Sequence, residues 1–323
     1  MKKVLVTGAT GFVGRHLCNR LVSSGYIVTG TTRSMENRSS PENYDLRKAG
    51  DLGTEFDWLP ILRDVDYVVH LAARVHVMSE AAEDPLTRFR RVNTWGSKEL
   101  AQSAANAGVK RLIYVSTIKV LGEKTEGRPF RHTDTAAPCD PYAISKLEAE
   151  ESLSRIAVEK GMEIVIFRPP LIYGPGVGGN FLRILDLVAR GIPLPLGRIR
   201  NVRSMLAVSN LCDLIQISLE HPDAAGETLL VADGADISTP RLVRIIAEHM
   251  DRPVRLLPVP EYLLRLGGKI LRRSNEVTRL CDSLQVDIEN TRNVLNWSPQ
   301  TSLEDSMRAV VRWYLQREHQ TIV

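Results

Sequence analysis

Tyr142 and Lys146 stand four residues apart in the run YAISK. On a helix that spacing puts both side chains on one face. An ammonium beside a phenol favours the phenolate, which would draw the tyrosine below its usual pKa of about 10. A tyrosine tuned in this way can take or give a proton near neutral pH. Upstream, Thr117 follows an apolar run that ends at Val115-Ser116. Its hydroxyl can hydrogen-bond the oxygen on which Tyr142 acts, or simply cap a turn.

A second constellation is TGATGFVG, Thr7 to Gly14, with glycines at 8, 11 and 14. It follows a strand-like run and opens a helical one, the context in which such spacing binds a dinucleotide. Gly8 permits the tight turn, Gly11 lets backbone approach a pyrophosphate, and Gly14 lets helix and strand pack closely. Phe12 and Val13 begin the helix, whose free N–H groups and positive dipole end face the phosphates. The next strand ends in Thr31-Thr32-Arg33, with Arg38 nearby and no acid before Glu36. A carboxylate there would suit the ribose of NAD, whereas a guanidinium suits a 2′-phosphate. The reading therefore favours NADP(H) over NAD(H). Asp51, followed by Leu52, either accepts the adenine amino hydrogen or is an exposed loop aspartate.

These residues need a scaffold, and the first half of the chain supplies its pattern. Apolar runs at Lys3–Thr7, Tyr26–Thr31, Asp66–Leu71, Arg111–Ser116 and Glu163–Phe167 alternate with helical patterns at Phe12–Ser24, Leu86–Ala107 and Tyr142–Lys160. Such alternation predicts right-handed βαβ units and a parallel sheet covered on both faces. After Arg168 the rhythm breaks in a stretch dense in proline and glycine, Pro169 to Gly179. The expected division is 1–168 for the dinucleotide-binding part, with later strands near 205–231 added to it, and 169–323 mainly for a smaller substrate-binding lobe. In the tail, Leu303, Met307, Val310, Val311 and Tyr314 share one face of a helix over Ser302–Gln316.

Composition narrows the setting. The chain has 323 residues, 43 % hydrophobic and 25 % charged, with a net charge of +4. That excess demands no nucleic acid. The four cysteines, Cys18, Cys139, Cys212 and Cys281, form no CxxC pair, and the histidines, His70 and His76 among them, have no ligand-like spacing. No metal site and no disulfide scaffold are expected. The N-terminal apolar run is too short for a signal peptide, so a cytoplasmic setting is expected. Glu261–Arg273, EYLLRLGGKILRR, is apolar with interleaved basic residues. It reads as a core-covering stripe or as a peripheral membrane contact, with Gly267-Gly268 breaking the helical pattern.

Taken together, the chain resembles the extended short-chain dehydrogenase/reductase family, in its nucleotide-sugar epimerase/dehydratase group. The matching runs are GATGFVG, HLAA at His70–Ala73, VNTWGS at Val92–Ser97, VSTIKVLGE at Val115–Glu123, YAISK, RPPLIYGPG at Arg168–Gly176 and the tail from Leu295 to Tyr314. The resemblance implies an α/β fold, a Rossmann-type doubly wound parallel sheet with a smaller C-terminal substrate-binding lobe, and a homodimer. It implies Thr117, Tyr142 and Lys146 in catalysis. Leu71, Ala72, Ala73 and Pro169 would flank the cofactor, and Asn180 and Arg203 would hold the diphosphate of a UDP-sugar. Lys119 stands where a small residue is usual and either meets substrate or points away. Asn210 stands where an aspartate is usual, which puts a structural hydrogen bond in doubt.

STIKV, NFLRIL and PLPLG look most like enzymes of UDP-N-acetylhexosamines, the 4-keto-6-deoxy reductases of bacterial surface-polysaccharide synthesis. The expectation is NADP(H)-dependent reduction of such a 4-keto group. The alternatives are an NAD-dependent UDP-sugar 4-epimerase and a non-catalytic dinucleotide sensor on the same fold.

Overall fold

The computed structural model describes residues 1–35, 43–75, 84–271 and 273–321, so Glu36, Arg38 and His76 lie outside the described residues. The chain opens with β1 (Lys3–Thr7), α1 (Phe12–Ser23), β2 (Ile27–Thr32), β3 (Asp45–Lys48), α2 (Leu59–Leu62) and β4 (Tyr67–His70). It continues with α3 (Pro85–Phe89), a π-helical turn over Arg90–Trp95, α4 (Gly96–Asn106), β5 (Arg111–Val115), α5 (Pro141–Lys160) and β6 (Glu163–Arg168). Seven strands form one sheet in the order β3-β2-β1-β4-β5-β6-β9, where β9 is Thr228–Leu230. Every pairing in it is parallel. This is the expected Rossmann-type sheet.

The strands alternate their side chains between two cores, as a period of two requires. Val4, Val6, Val69, Ile113 and Phe167 pack on one face, against Leu17 and Leu21 of α1. Leu5, Val68, Leu112 and Ile166 pack on the other, against Leu100 of α4 and Leu153 of α5. Strand order reverses between β1 and β4. Open α/β sheets bind ligands at the carboxyl ends of their strands at such a switch point.

Beyond β6 come β7 (Leu171–Tyr173), α6 (Gly179–Ala189), β8 (Met205–Ala207) and α7 (Val208–Ser218). Of the two later strands expected in the main sheet, only β9 joins it. β8 pairs with β7 in a separate two-stranded sheet. Buried Asp233 explains that placement. Its carboxylate accepts from the Ala207 N–H at 3.0 Å, from Asn210 Nδ2 at 2.7 Å and from the Tyr173 hydroxyl at 2.9 Å. The hydrogen bond doubted at Asn210 is therefore made, and Asn210 Oδ1 also accepts from the N–H of Thr301 at 2.9 Å. An aspartate at 210 would set a second carboxylate against Asp233, so the amide is the residue this pocket requires. Asp233→Ala would orphan three donors, at about 3 kcal/mol or more in all. The expected drop in Tm, read by calorimetry, is about 4 °C or more for a chain of this size.

The chain is completed by α8 (Thr239–His249), α9 (Glu261–Ile270), α10 (Ser274–Cys281), α11 (Glu289–Leu295) and α12 (Leu303–Thr321). Met307, Val310, Val311 and Tyr314 of α12 are buried as their spacing foretold, in a core shared with α6 and α8. Gly267-Gly268 does not break α9. A Cβ on Gly268 would lie 2.7 Å from Val277 Cγ2, so the glycine lets α10 pack against α9. Among the described residues no helix is long and apolar enough to cross a membrane.

Candidate active site

Gly8 has a φ of +70°, and the Gly11 N–H closes the turn onto the Gly8 carbonyl at 2.9 Å. A Cβ on Gly8 would stand 3.0 Å from Ala72, and one on Gly14 only 2.2 Å from the Gly8 carbonyl oxygen. The loop is thus pressed into the switch point beside Leu71–Ala73, leaving a cradle that side chains would fill. Gly11 caps α1 without a side chain, and the first turn carries no acid. That leaves a positive, uncapped helix end suited to a pyrophosphate. Phe12 and Val13 are half-buried behind it. Thr32 is buried, while Arg33 and Asp51 are exposed and face each other at 3.8 Å. Leu52 packs against the core beneath α4.

A directed chain of hydrogen bonds fixes the loop after β4. Ser97 Oγ donates to the Asn93 carbonyl at 2.6 Å, so it accepts from His70 Nε2 at 2.8 Å. His70 Nδ1 then accepts from Thr7 Oγ1 at 2.6 Å, and Thr7 Oγ1 accepts from the Ala72 N–H at 3.2 Å. Burial pushes the His70 pKa down to about 3 and keeps the ring neutral, as this chain of donors requires. The π-helical turn aims Asn93 between Arg74, whose N–H it accepts at 2.8 Å, and Ser145 Oγ, to which it donates at 3.0 Å. Sequence reasoning gave His70, Asn93, Ser97 and Ser145 no individual role. The available signal was a lone histidine at the end of an apolar strand and the i, i+4 spacing of Asn93 and Ser97.

The candidate catalytic residues lie after β5, at Thr117, and in the first turns of α5, at Tyr142 and Lys146. The Ile118 N–H donates to the carbonyl of buried Pro169 at 2.9 Å, holding Thr117 beside the end of β6. Thr117 is itself buried, and its Oγ1 accepts from the Lys119 N–H at 3.3 Å. Asp140 caps α5 by accepting from the Ala143 N–H at 2.7 Å, and Pro141 takes the first helical position, where no amide hydrogen is needed. This start fixes Tyr142, whose ring lies edge-on to Phe89 at 6.1 Å. One turn on, buried Lys146 donates to the Val115 carbonyl at 2.7 Å and lies 4.0 Å above the Tyr114 ring. Behind it, Glu150 forms a buried ion pair with Arg168 at 2.6 Å.

One expectation needs correction. The Tyr142 phenol is not drawn down here: burial pushes its pKa up, and the Asp140 charge adds to the effect. Lys146 gives one N–H to the Val115 carbonyl, and burial brings its own pKa down to about 7, with Glu150 opposing. For Lys119, where meeting substrate and pointing away both stood open, the structure shows the ammonium engaged within the protein. Its ammonium pairs with Asp140 and with Glu123, tying the Thr117 loop to the start of α5. Of the diphosphate candidates, Asn180 lies in the first turn of α6, within 3.5 Å of Arg183 Nη1. Arg203 Nη1 donates to the carbonyls of Arg279 at 3.0 Å and Asp282 at 2.8 Å.

A dinucleotide cradle at the switch point, beside a tyrosine and a lysine one helical turn apart, matches the comparisons. The model of the NAD dependent epimerase/dehydratase family matches residues 4–232. The chain belongs to that family. It is 43 % identical to a UDP-glucose 4-epimerase of Vibrio cholerae over 98 % of this chain and 96 % of the relative. It is 27 % identical to the GDP-6-deoxy-D-mannose reductase of Pseudomonas aeruginosa, over 96 % of both chains. The structure of a UDP-N-acetylglucosamine 4-epimerase from Methanobrevibacter ruminantium superposes with a TM-score of 0.80 at 25 % identity, covering 98 % of this chain and 99 % of that one. The protein is thus an enzyme of the epimerase/dehydratase family, and its cofactor is a nicotinamide dinucleotide.

Proposed function

We propose that the protein is a UDP-sugar 4-epimerase acting through Thr117, Tyr142 and Lys146. The likeness to the Vibrio cholerae enzyme over nearly the whole chain carries this reading, and it displaces the 4-keto reduction favoured from the sequence motifs. When bound, the nicotinamide would accept the C4 hydride of the sugar and return it to the opposite face. Tyr142 takes the proton from the 4-hydroxyl and later restores it. Thr117 donates a hydrogen bond to the same oxygen. Lys146 places positive charge beside the phenolate, offsetting the burial and the Asp140 charge that hold the phenol protonated. Asn180 and the Nε and Nη2 donors of Arg203 would take the diphosphate, since a guanidinium fork suits that group.

The purified protein is expected to interconvert UDP-glucose and UDP-galactose, or their N-acetyl counterparts, with no dinucleotide added. Turnover that consumes reduced dinucleotide stoichiometrically with a 4-keto sugar would replace this reading with the reductase one. The cofactor form is a separate proposal. Arg33, exposed at the end of a strand without a carboxylate, favours a 2′-phosphate. Nucleotide released by denaturing the protein would then be NADP(H). Recovering NAD(H) overturns this part alone.

A further inference from the structure

The C-terminal lobe carries an exposed face that the chemistry above does not use. Among the described residues, sixteen large apolar side chains are exposed, and nine of them fall in residues 183–202 and 251–273. Five cluster on α9 and the residue after it: Tyr262, Leu263, Leu266, Ile270 and Leu271, between 44 % and 72 % exposed. Tyr262, Leu266 and Ile270 follow each other at i, i+4 and i+8, with Leu263 beside them, so they form one stripe. The opposite face of α9 is turned to the protein through Leu264 and Gly268. The two segments belong to one surface region, because Leu257 donates its N–H to the Leu194 carbonyl at 2.8 Å and Leu194 donates to that of Arg255 at 2.9 Å.

The charge of this region is equally uneven. Its two segments hold ten basic and three acidic residues, a balance of +7, whereas the whole chain is only +4. The rest of the molecule is therefore net negative. Arg198, Arg200, Arg252, Arg255, Lys269 and Arg273 are all exposed, and none forms an ion pair with a described residue. Two basic residues of the segments are paired: Arg265 with Glu261 and Asp282, and Arg183 with Glu276 at 3.9 Å. Lys269 falls at i+7 from Tyr262 and i+3 from Leu266, at the flank of the stripe.

We propose that this face docks the enzyme onto an anionic lipid surface, with the α9 stripe inserted among the acyl chains and the surrounding cations on the headgroups. An apolar helix stripe flanked by tyrosine and basic residues is the arrangement that lies in a membrane interface. A second copy of the chain is a poorer occupant, since a two-fold interface would set the same unpaired cations against one another. Nucleic acid would leave the leucine and isoleucine side chains without a role. One short stripe plus surface charge gives reversible, salt-sensitive binding.

The test is sedimentation of the full chain with vesicles of phosphatidylglycerol and phosphatidylcholine in equal parts, and with vesicles of phosphatidylcholine alone. The protein is expected to pellet with the first at low salt, to bind the second about tenfold less, and to be released by salt. The double variant Leu266→Asp, Ile270→Asp is expected to lose binding about tenfold or more while keeping its Tm. Both side chains are exposed and far in sequence from Tyr142, so its activity is the second control. Failure of the wild type to pellet with anionic vesicles overturns the proposal, as does equal pelleting of wild type and double variant. So does a shift from dimer to monomer on gel filtration, caused by the double variant in a protein that ignores vesicles. None of these readings depends on which sugar reaction the enzyme performs.

Discussion

Tyr142→Phe is expected to lower kcat by about 10²–10⁴-fold, the range spanned by positioned acid–base groups, and to leave the fold intact. The substitution removes one oxygen and keeps the ring that packs edge-on to Phe89. The hydrogen bond from Ser145 Oγ to residue 142 uses the backbone carbonyl, so it survives as well. Bound dinucleotide, measured by absorbance after denaturation, is expected at the wild-type level, because the glycine cradle is untouched. A variant with near-normal turnover would remove Tyr142 from the chemistry. A variant that also loses the dinucleotide and unfolds early would make the tyrosine a packing residue instead. The elevated phenol pKa gives the loss its physical meaning. Burial and Asp140 hold the proton on Tyr142, and only a nearby positive charge makes it available to exchange with substrate.

Gly14→Val should abolish dinucleotide retention by a different route. Even the first added carbon would stand 2.2 Å from the Gly8 carbonyl oxygen and 2.7 Å from Ala9 Cα. Those are backbone atoms at the centre of the cradle, and no rotamer change relieves the overlap. The loop must move away from α1, which separates the helix end from the pyrophosphate site and disturbs packing, at roughly 1–3 kcal/mol or more. The measurements are nucleotide content after purification and Tm. Gly267→Ala is the control: it lies within α9, with nothing within 4 Å of its added carbon. There alanine should hold or slightly raise Tm, since glycine inside a helix costs about 0.5–1 kcal/mol. If Gly14→Val kept its dinucleotide and its Tm, the close approach of helix and strand would be irrelevant to the cradle.

The sequence by itself determined most of the sheet, though not β3 or the place of β8, and it determined the glycine loop and the helix that carries Tyr142 and Lys146 one turn apart. Each rests on local signals, such as an apolar run, a turn residue or an i, i+4 spacing, that physical chemistry reads without knowing what lies across the molecule. Tertiary structure decided everything that needs a partner distant in sequence. Lys119 could meet substrate or point away as far as the sequence goes, and only the fold brings Asp140, at the start of α5, against its charge. Asn210 looked like a lost hydrogen bond until Asp233 was found opposite it. Gly267-Gly268 looked like a break because glycine weakens an isolated helix, whereas Val277 on α10 supplies the contact that requires Gly268. The expected fall in the Tyr142 pKa failed for the same reason. Helical spacing shows that two side chains share a face, but only the fold sets their burial and the carboxylate beside them, and those terms dominate. The mild net charge of +4 likewise concealed two basic segments, 183–202 and 251–273, that together carry +7 against −3 for the rest of the chain. A sum over the chain carries no information about place, and joining residues 194 and 257 is the work of the fold.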